Sequence, residues 1–223
     1  MVLFSFFDNF GMKNYDYLFK VVFIGDAGVG KTQIVNKYVG KKFDESYQPT
    51  IGVEFETMDA KFKNKKIRLH LWSTAGQENY RAITQIYYKK AQLIAFVYDI
   101  NTGDSFNSIL KWVEEVKTQN KNAKFLLVGN KCDLEEERRV VTKEEANEYA
   151  EKNDMKFFEV SAKTGKGIDD MFEYIISELL KDVKEEKTYY DNEYDNEYDN
   201  DLSFCDKYFF CCPCLKKSEE NVE

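Results

Sequence analysis

Basic residues are short in this chain. Its 223 residues carry 32 Lys and Arg against 40 Asp and Glu, a net charge of −8. The imbalance is local. Residues 188–204 hold six acids and no Lys or Arg, and residues 205–223 hold three lysines and four acids. Only −1 is left for residues 1–187, so the body is nearly neutral and has no nucleic-acid footprint. Histidine is down to one, His70, inside a strand pattern, where a structural role outweighs a catalytic one. Cysteine is scarce in the body. Of five cysteines, only Cys132 lies there, while Cys205, Cys211, Cys212 and Cys214 sit near the C-terminus. That is no disulfide framework, and it fits a reducing cytosol. Long apolar runs are missing as well. Residues 1–7 are apolar but lack a basic n-region and are too short for a signal peptide or a membrane span, so neither is expected. Val2 removes the N-myristoylation pattern.

What is present reads as one globular domain with tails. The hydrophobic fraction is 43%, ordinary for a soluble domain, and residues 17–183 carry the structural patterning. A domain of that order buries roughly 70% of its unfolded surface. The expected organisation is an N-terminal extension over 1–16, a nucleotide-binding domain over 17–183, an acidic linker over 184–204 and a Cys-rich tail over 205–223. Apolar strand candidates fall at 19–24, 93–98, 125–129 and 155–160. Their continuous apolar character suggests parallel strands covered on both faces. Amphipathic strands at about 53–62 and 67–72 flank Lys63-Asn64-Lys65, which reads as a hairpin and makes one edge strand antiparallel. Helical spacing links Phe106, Ile109, Leu110, Val113 and Val116. Thr142 with Glu145 forms a capping box for a helix through about Lys152. Ile168, Met171, Phe172, Ile175, Ile176, Leu179, Leu180 and Val183 make a further apolar stripe. The expected fold is α/β: a doubly wound, mostly parallel six-stranded sheet with one antiparallel edge strand. The repeated Tyr-Asp-Asn-Glu of 190–200 buries too little apolar surface to order itself, so a disordered C-terminal tail is expected.

Residues 25–32 read Gly-Asp-Ala-Gly-Val-Gly-Lys-Thr, a G-x-x-x-x-G-K-[ST] phosphate-binding loop. A strand pattern enters it and a helix pattern over 33–39 leaves it, as the motif requires. Glycines let the backbone curl so that its N–H groups face a phosphate, and the helix N-terminus adds positive potential. Lys31 reaches the terminal phosphates and the Thr32 hydroxyl can ligate Mg²⁺. Asp26, Ala27, Gly28, Val29, Gly30 and Gln33 complete the nucleotide-binding residues expected of this loop.

A second motif names the base. Asn130-Lys131-Cys132-Asp133 follows the strand ending at 129. A carboxylate at Asp133 can accept both the ring N–H and the exocyclic amine of guanine. Adenine lacks that donor pair and would leave a buried charge unpaired. Asn130 would tie this loop to the phosphate loop, and the Lys131 stem would cover one face of the base. Ser161-Ala162-Lys163, after another strand, can place a backbone N–H on the guanine carbonyl oxygen. An ATP-using P-loop kinase is disfavoured by the same residues.

Here the chain resembles the Ras superfamily of small GTPases, and within it the Rab family, over about residues 17–181. The likeness also rests on Ile51-Gly52-Val53-Glu54-Phe55, Arg68-Leu69-His70-Leu71-Trp72, Tyr80-Arg81-Ala82-Ile83-Thr84, Tyr87-Tyr88-Lys89-Lys90-Ala91 and Val97-Tyr98-Asp99-Ile100. The resemblance implies a GTP/GDP-cycling switch with Mg²⁺ that acts in vesicle traffic. By position, Phe43 packs on guanine and Tyr47 joins the nucleotide contacts. Thr50 meets Mg²⁺ and the γ-phosphate, as Thr32 also meets the metal. Gly76 senses the γ-phosphate, and Gln77 orients the attacking water beside Lys31. Ordering and release of both switches is the mechanism of this class. The resemblance also implies an exchange factor, a GTPase-activating protein and effectors meeting residues about 43–56 and 76–91, a monomer, and a cytosolic chain held on the cytoplasmic face of an endomembrane.

Two departures stand out. In Trp72-Ser73-Thr74-Ala75-Gly76-Gln77-Glu78 the family has Asp where this chain has Ser73. That removes a charge beside Mg²⁺, an effect of about 1.5–3 kcal/mol. Weaker Mg²⁺ binding, faster exchange and slower hydrolysis are the expectation, against a tolerated substitution. Relatives also usually end in a cysteine pair, whereas here Cys211, Cys212 and Cys214 are followed by nine more residues. Palmitoylation of those three is the favoured reading. Unusual prenylation of an internal cysteine and zinc binding by Cys205, Cys211, Cys212 and Cys214 stay open, though the zinc spacing is crowded.

Overall fold

The computed structural model describes residues 15–46, 49–76, 86–134 and 136–183. Six strands form one sheet in the order β2-β3-β1-β4-β5-β6. They are β1 (Tyr17–Ile24), β2 (Val53–Phe62), β3 (Lys65–Thr74), β4 (Leu93–Asp99), β5 (Lys124–Asn130) and β6 (Lys156–Glu159). β1 runs parallel to β3 and β4, and β4, β5 and β6 continue the parallel set. Only β2 is antiparallel, paired with β3 at the sheet edge. The expected doubly wound sheet with an antiparallel edge is therefore present.

The burial patterns explain this arrangement. Every residue of β4 is buried, and so are the last six of β1. A strand buried on both faces must be covered by helices on both sides, and parallel crossovers supply them. β2 alternates exposed and half-buried positions along its second half, as an edge strand with one wet face does. The β2–β3 turn is tighter than expected. Lys63 and Asn64 take left-handed φ values of 46 and 65, so two residues close the hairpin and Lys65 already belongs to β3.

Helices α1 (Lys31–Tyr38), α2 (Gly103–Gln119), α3 (Lys143–Lys152) and α4 (Ile168–Lys181) cover the sheet. Tyr38 of α1 stacks on Phe172 of α4 at 3.6 Å between centroids, and Phe172 meets Phe23 of β1 at 5.9 Å. On the other branch, Phe106 of α2 packs edge-on against Tyr98 and Tyr149. The Thr142 hydroxyl accepts from the Glu145 N–H at 3.2 Å and caps α3 as expected. Two stripe residues are corrected. Leu110 is 52% exposed, and Trp112 takes the inward place beside Ile109, Val113 and Val116. Val183 lies beyond the end of α4. α1 begins two residues before the expected 33, at Lys31, because Gly30 adopts the left-handed cap that frees the next residue to turn.

β1 is the switch point of the sheet: the chain moves outward to β3 and β2 on one side and to β4, β5 and β6 on the other. Ligands of such sheets bind outside the carboxyl ends of the strands at this point.

Candidate functional site

Loops leaving β1, β3, β5 and β6, with Phe43, Asp44, Glu45, Pro49 and Thr50, wall a cavity of about 420 Å³. From the phosphate loop, Ala27, Gly28, Gly30, Lys31, Thr32 and Gln33 line it. Gly30 sits at φ 94, and a Cβ there would lie 2.3 Å from Nδ2 of Asn130. No side chain fits at that position while Asn130 is in place. Lys31 is only 5% exposed, and its Nζ donates to the carbonyls of Gly25 at 2.8 Å and Asp26 at 2.7 Å. Burial pulls its pKa down to about 7, against the opposing Asp26 carboxylate. A polyanion at the start of α1 would relieve that cost. The Gln33 amide donates to the Asp44 carbonyl at 3.3 Å, while its buried Oε1 has no hydrogen-bond partner among the described residues.

Asp26, Val29 and Ser161 do not line the cavity; they brace it. Asp26 Oδ1 accepts from Trp112 Nε1 at 3.0 Å, which fastens the phosphate loop to α2. Sequence reading missed that anchor, although Trp112 keeps helical spacing with Ile109 and Val116. The Val29 carbonyl accepts from Asn130 Nδ2 at 2.8 Å. Ser161, fully buried, donates to Asp133 Oδ1 at 2.5 Å.

The β5 and β6 loops close one end. Asn130, 1% exposed, also accepts from the Ala162 N–H at 3.1 Å through Oδ1. Its carboxamide thus joins the phosphate loop, through Val29, to the 161–163 loop, through Ala162. Of the backbone N–H groups in 161–163, that of Ala162 is engaged by Asn130. Lys131 takes a left-handed φ of 69, and its Nζ pairs with Asp99 Oδ2 at 2.6 Å, which fixes the stem along the cavity wall. Phe43, Leu134, Lys131 and Asp133 line this end. Lys163 reaches across to Glu45 at 2.8 Å. Sequence reading did not single out Glu45, Leu134 or Pro49, which carry no motif signature and enter the wall by position alone.

At the other end three hydroxyls meet. Thr32 Oγ1 lies 2.8 Å from Thr50 Oγ1 and 2.7 Å from Ser73 Oγ. Gly76 enters here, where a Cβ would fall 2.1 Å from the Asp26 carbonyl carbon and 2.2 Å from the Ala27 nitrogen. Those are backbone atoms, so any side chain at 76 must push the two backbone segments apart. Among the described residues no group of three His, Cys, Asp or Glu could hold a metal. Converging oxygens nevertheless suit Mg²⁺, which binds few protein groups and completes its coordination with water and substrate phosphates. Tyr47 and Gln77 lie outside the described residues, as do Cys211, Cys212 and Cys214. His70 is half-buried in β3 with Phe55 edge-on at 5.0 Å, away from the cavity, which fits a packing role.

A family model described as the Ras family matches residues 20–181. Ras-related protein Rab-2B of Dictyostelium discoideum is 41% identical over 181 residues, covering 81% of this chain and 89% of that protein. Ras-related protein Rab-13 of Bos taurus is 39% identical over 197 residues, covering 87% and 95%. Ras-related protein Rab-3A of Homo sapiens is 38% identical, covering 78% and 79%. The chain belongs to the Ras superfamily of small GTPases and, within it, to the Rab family. It is a GTPase of the kind that works in membrane traffic, a family that binds GTP and GDP and generally Mg²⁺.

Proposed function

We propose that the chain is a GTP/GDP-cycling switch in vesicle-mediated traffic, slow on its own and dependent on partners. Asp133 pairs with the guanine edge, held by the Ser161 hydroxyl, while Asn130 and Lys131 frame the base with Phe43. Lys31 and the start of α1 hold the phosphates. Thr32 and Thr50 hold Mg²⁺, which when bound neutralises developing charge on the phosphates. Gly76 and Gln77 answer to the γ-phosphate, with Gln77 placing the water. The carrying observation is the single cavity that joins Lys31 and Thr32 to Asp133. No arginine lines that cavity among the described residues, so an activating partner supplies one, worth roughly 10³–10⁵ in rate. Partners meet residues about 43–56 and 76–91, where Ile51 is 67% and Ile86 55% exposed. Residues 17–183 form the working domain, 184–204 a linker and 205–223 the anchor, with acyl chains on Cys211, Cys212 and Cys214. Two such chains hold a protein stably on a membrane and one does not. Among the described residues no helix is long and apolar enough to cross a membrane. The protein then sits as a monomer on the cytoplasmic face of an endomembrane.

Competition of GTP, GDP and ATP for the purified chain, followed by single-turnover hydrolysis in excess Mg²⁺, tests this reading. Guanine nucleotides should bind far more tightly than ATP, with slow phosphate release; tighter ATP binding sinks it. One observation favours a second reading. Ser73 offers a neutral oxygen to Thr32 where the family pattern noted above has an aspartate, which describes a nucleotide-binding scaffold or constitutive switch with weak Mg²⁺ binding and little hydrolysis. Under it, Ser73→Asp slows Mg²⁺-dependent nucleotide release and speeds hydrolysis; equal rates count against it.

A further inference from the structure

We propose that Glu54 supplies the negative charge that Ser73 withholds from the cation end of the cavity. The inference rests on the guanine-nucleotide reading above. The antiparallel register sets Glu54 directly opposite Ser73. Side chains directly opposite in such a pair leave the same face of the sheet with Cβ atoms about 4.5–5.5 Å apart. On that face Ser73 Oγ meets Thr32 Oγ1 at 2.7 Å. A second contact, from a different segment, points to the same carboxylate: Thr50 Oγ1 donates to Glu54 Oε1 at 3.4 Å and lies 2.8 Å from Thr32 Oγ1. Three hydroxyls and one carboxylate thus run in sequence from β3 through α1 to β2.

The other acids near the cavity have partners away from the three hydroxyls. Asp26 accepts from Trp112, Asp44 from Ser46, and Asp133 from Ser161. Asp99 pairs with Lys131, and Glu45 with Lys163. Asp99 also ends β4, on the far side of β1 from β3, so it cannot replace the missing charge. Glu54 has the reach that a serine lacks. A carboxylate there accepts hydrogen bonds from the waters that Mg²⁺ keeps, as the family's aspartate does from the neighbouring strand. The substitution at 73 then moves the charge across one strand pair instead of deleting it.

The test uses the full chain loaded with a fluorescent GDP, with release followed across a Mg²⁺ titration and Mn²⁺ binding to the GDP complex read by electron paramagnetic resonance. Glu54→Gln should raise the Mg²⁺ concentration for half-maximal slowing about tenfold or more, the loss of one charge-assisted hydrogen bond. In a Ser73→Asp background the same change should shift it no more than about twofold, since contacts that share a partner are not additive. GDP affinity in EDTA serves as the folding control. An unchanged requirement in Glu54→Gln, or an equal shift in both backgrounds, overturns the proposal. Should Glu54→Gln fail to fold, Ser73→Asp alone decides. A change under about twofold supports a carboxylate already in place, and a tenfold fall in Mg²⁺ requirement overturns it. Failure of the wild type to bind GDP at all would instead overturn the functional reading, and this proposal with it.

Discussion

At the base end of the cavity Asn130 and Ser161 are fully buried and each bonds in two directions, Asn130 to Val29 and Ala162, Ser161 to Asp133 and Thr164. At the cation end Thr32, Thr50 and Ser73 touch through neutral hydroxyls, and Thr50 precedes Ile51, which is 67% exposed. One end is cross-braced before any ligand arrives. The other is a chain of hydroxyls that ends on Glu54. A switch needs that division, because selection of the base requires a rigid frame. Reading the γ-phosphate instead requires a segment whose order depends on the ligand.

The comparison breaks first at Asp133. Asp133→Asn removes two charge-assisted acceptors, each worth about 1.5–3 kcal/mol, so GDP affinity should fall roughly 10²–10⁴-fold. Equilibrium titration with fluorescent GDP checks it, and a loss under tenfold would mean the base lies elsewhere. Next is the support behind the frame. Arg139 grips Glu159 at the end of β6, with Nη1 2.6 Å from Oε1, and both side chains are about nine-tenths buried. Arg139→Ala leaves a carboxylate buried without its main partner, a loss of about 3–5 kcal/mol in unfolding free energy. Denaturant unfolding of the GDP-bound protein measures it, and the Mg²⁺ dependence of release should hardly change. The smallest effect is the most selective. Gly76→Ala pushes Gly76 off the Asp26–Ala27 backbone, and a displacement of that size costs roughly 10²-fold in the chemical step. Single-turnover hydrolysis should fall by that factor while GDP affinity stays within about threefold. Equal losses in both would show that the two ends are not separable.

Much of this was legible beforehand where local chemistry fixes geometry. The phosphate loop announces itself through glycines that must curl, and Asp133 through the donor pattern that it alone matches. The buried strands were visible because their apolar runs admit only a two-sided covering. Legibility failed where partners are distant in the chain. Asp26 is held by Trp112, 86 residues away, and no period in the sequence marks that pair. Leu110 and Trp112 were exchanged because both satisfy helical spacing, and only the sheet beneath decides which turns inward. The Lys63–Asn64 turn was read one residue too long, since nothing but backbone dihedrals separates Lys65 in the turn from Lys65 in the strand. Glu54 was read as part of a family signature, and only strand register places it opposite Ser73.

The 2.3 Å that would separate a Cβ at residue 30 from the Asn130 amide has a consequence for how this chain can vary. Any side chain at 30 collides with that amide. Shrinking residue 130 to make room releases both the Val29 carbonyl and the Ala162 N–H. Neither position can drift first, so two sites a hundred residues apart are inherited as a single unit. An accidental change at one is met by loss of the function before the other can adjust.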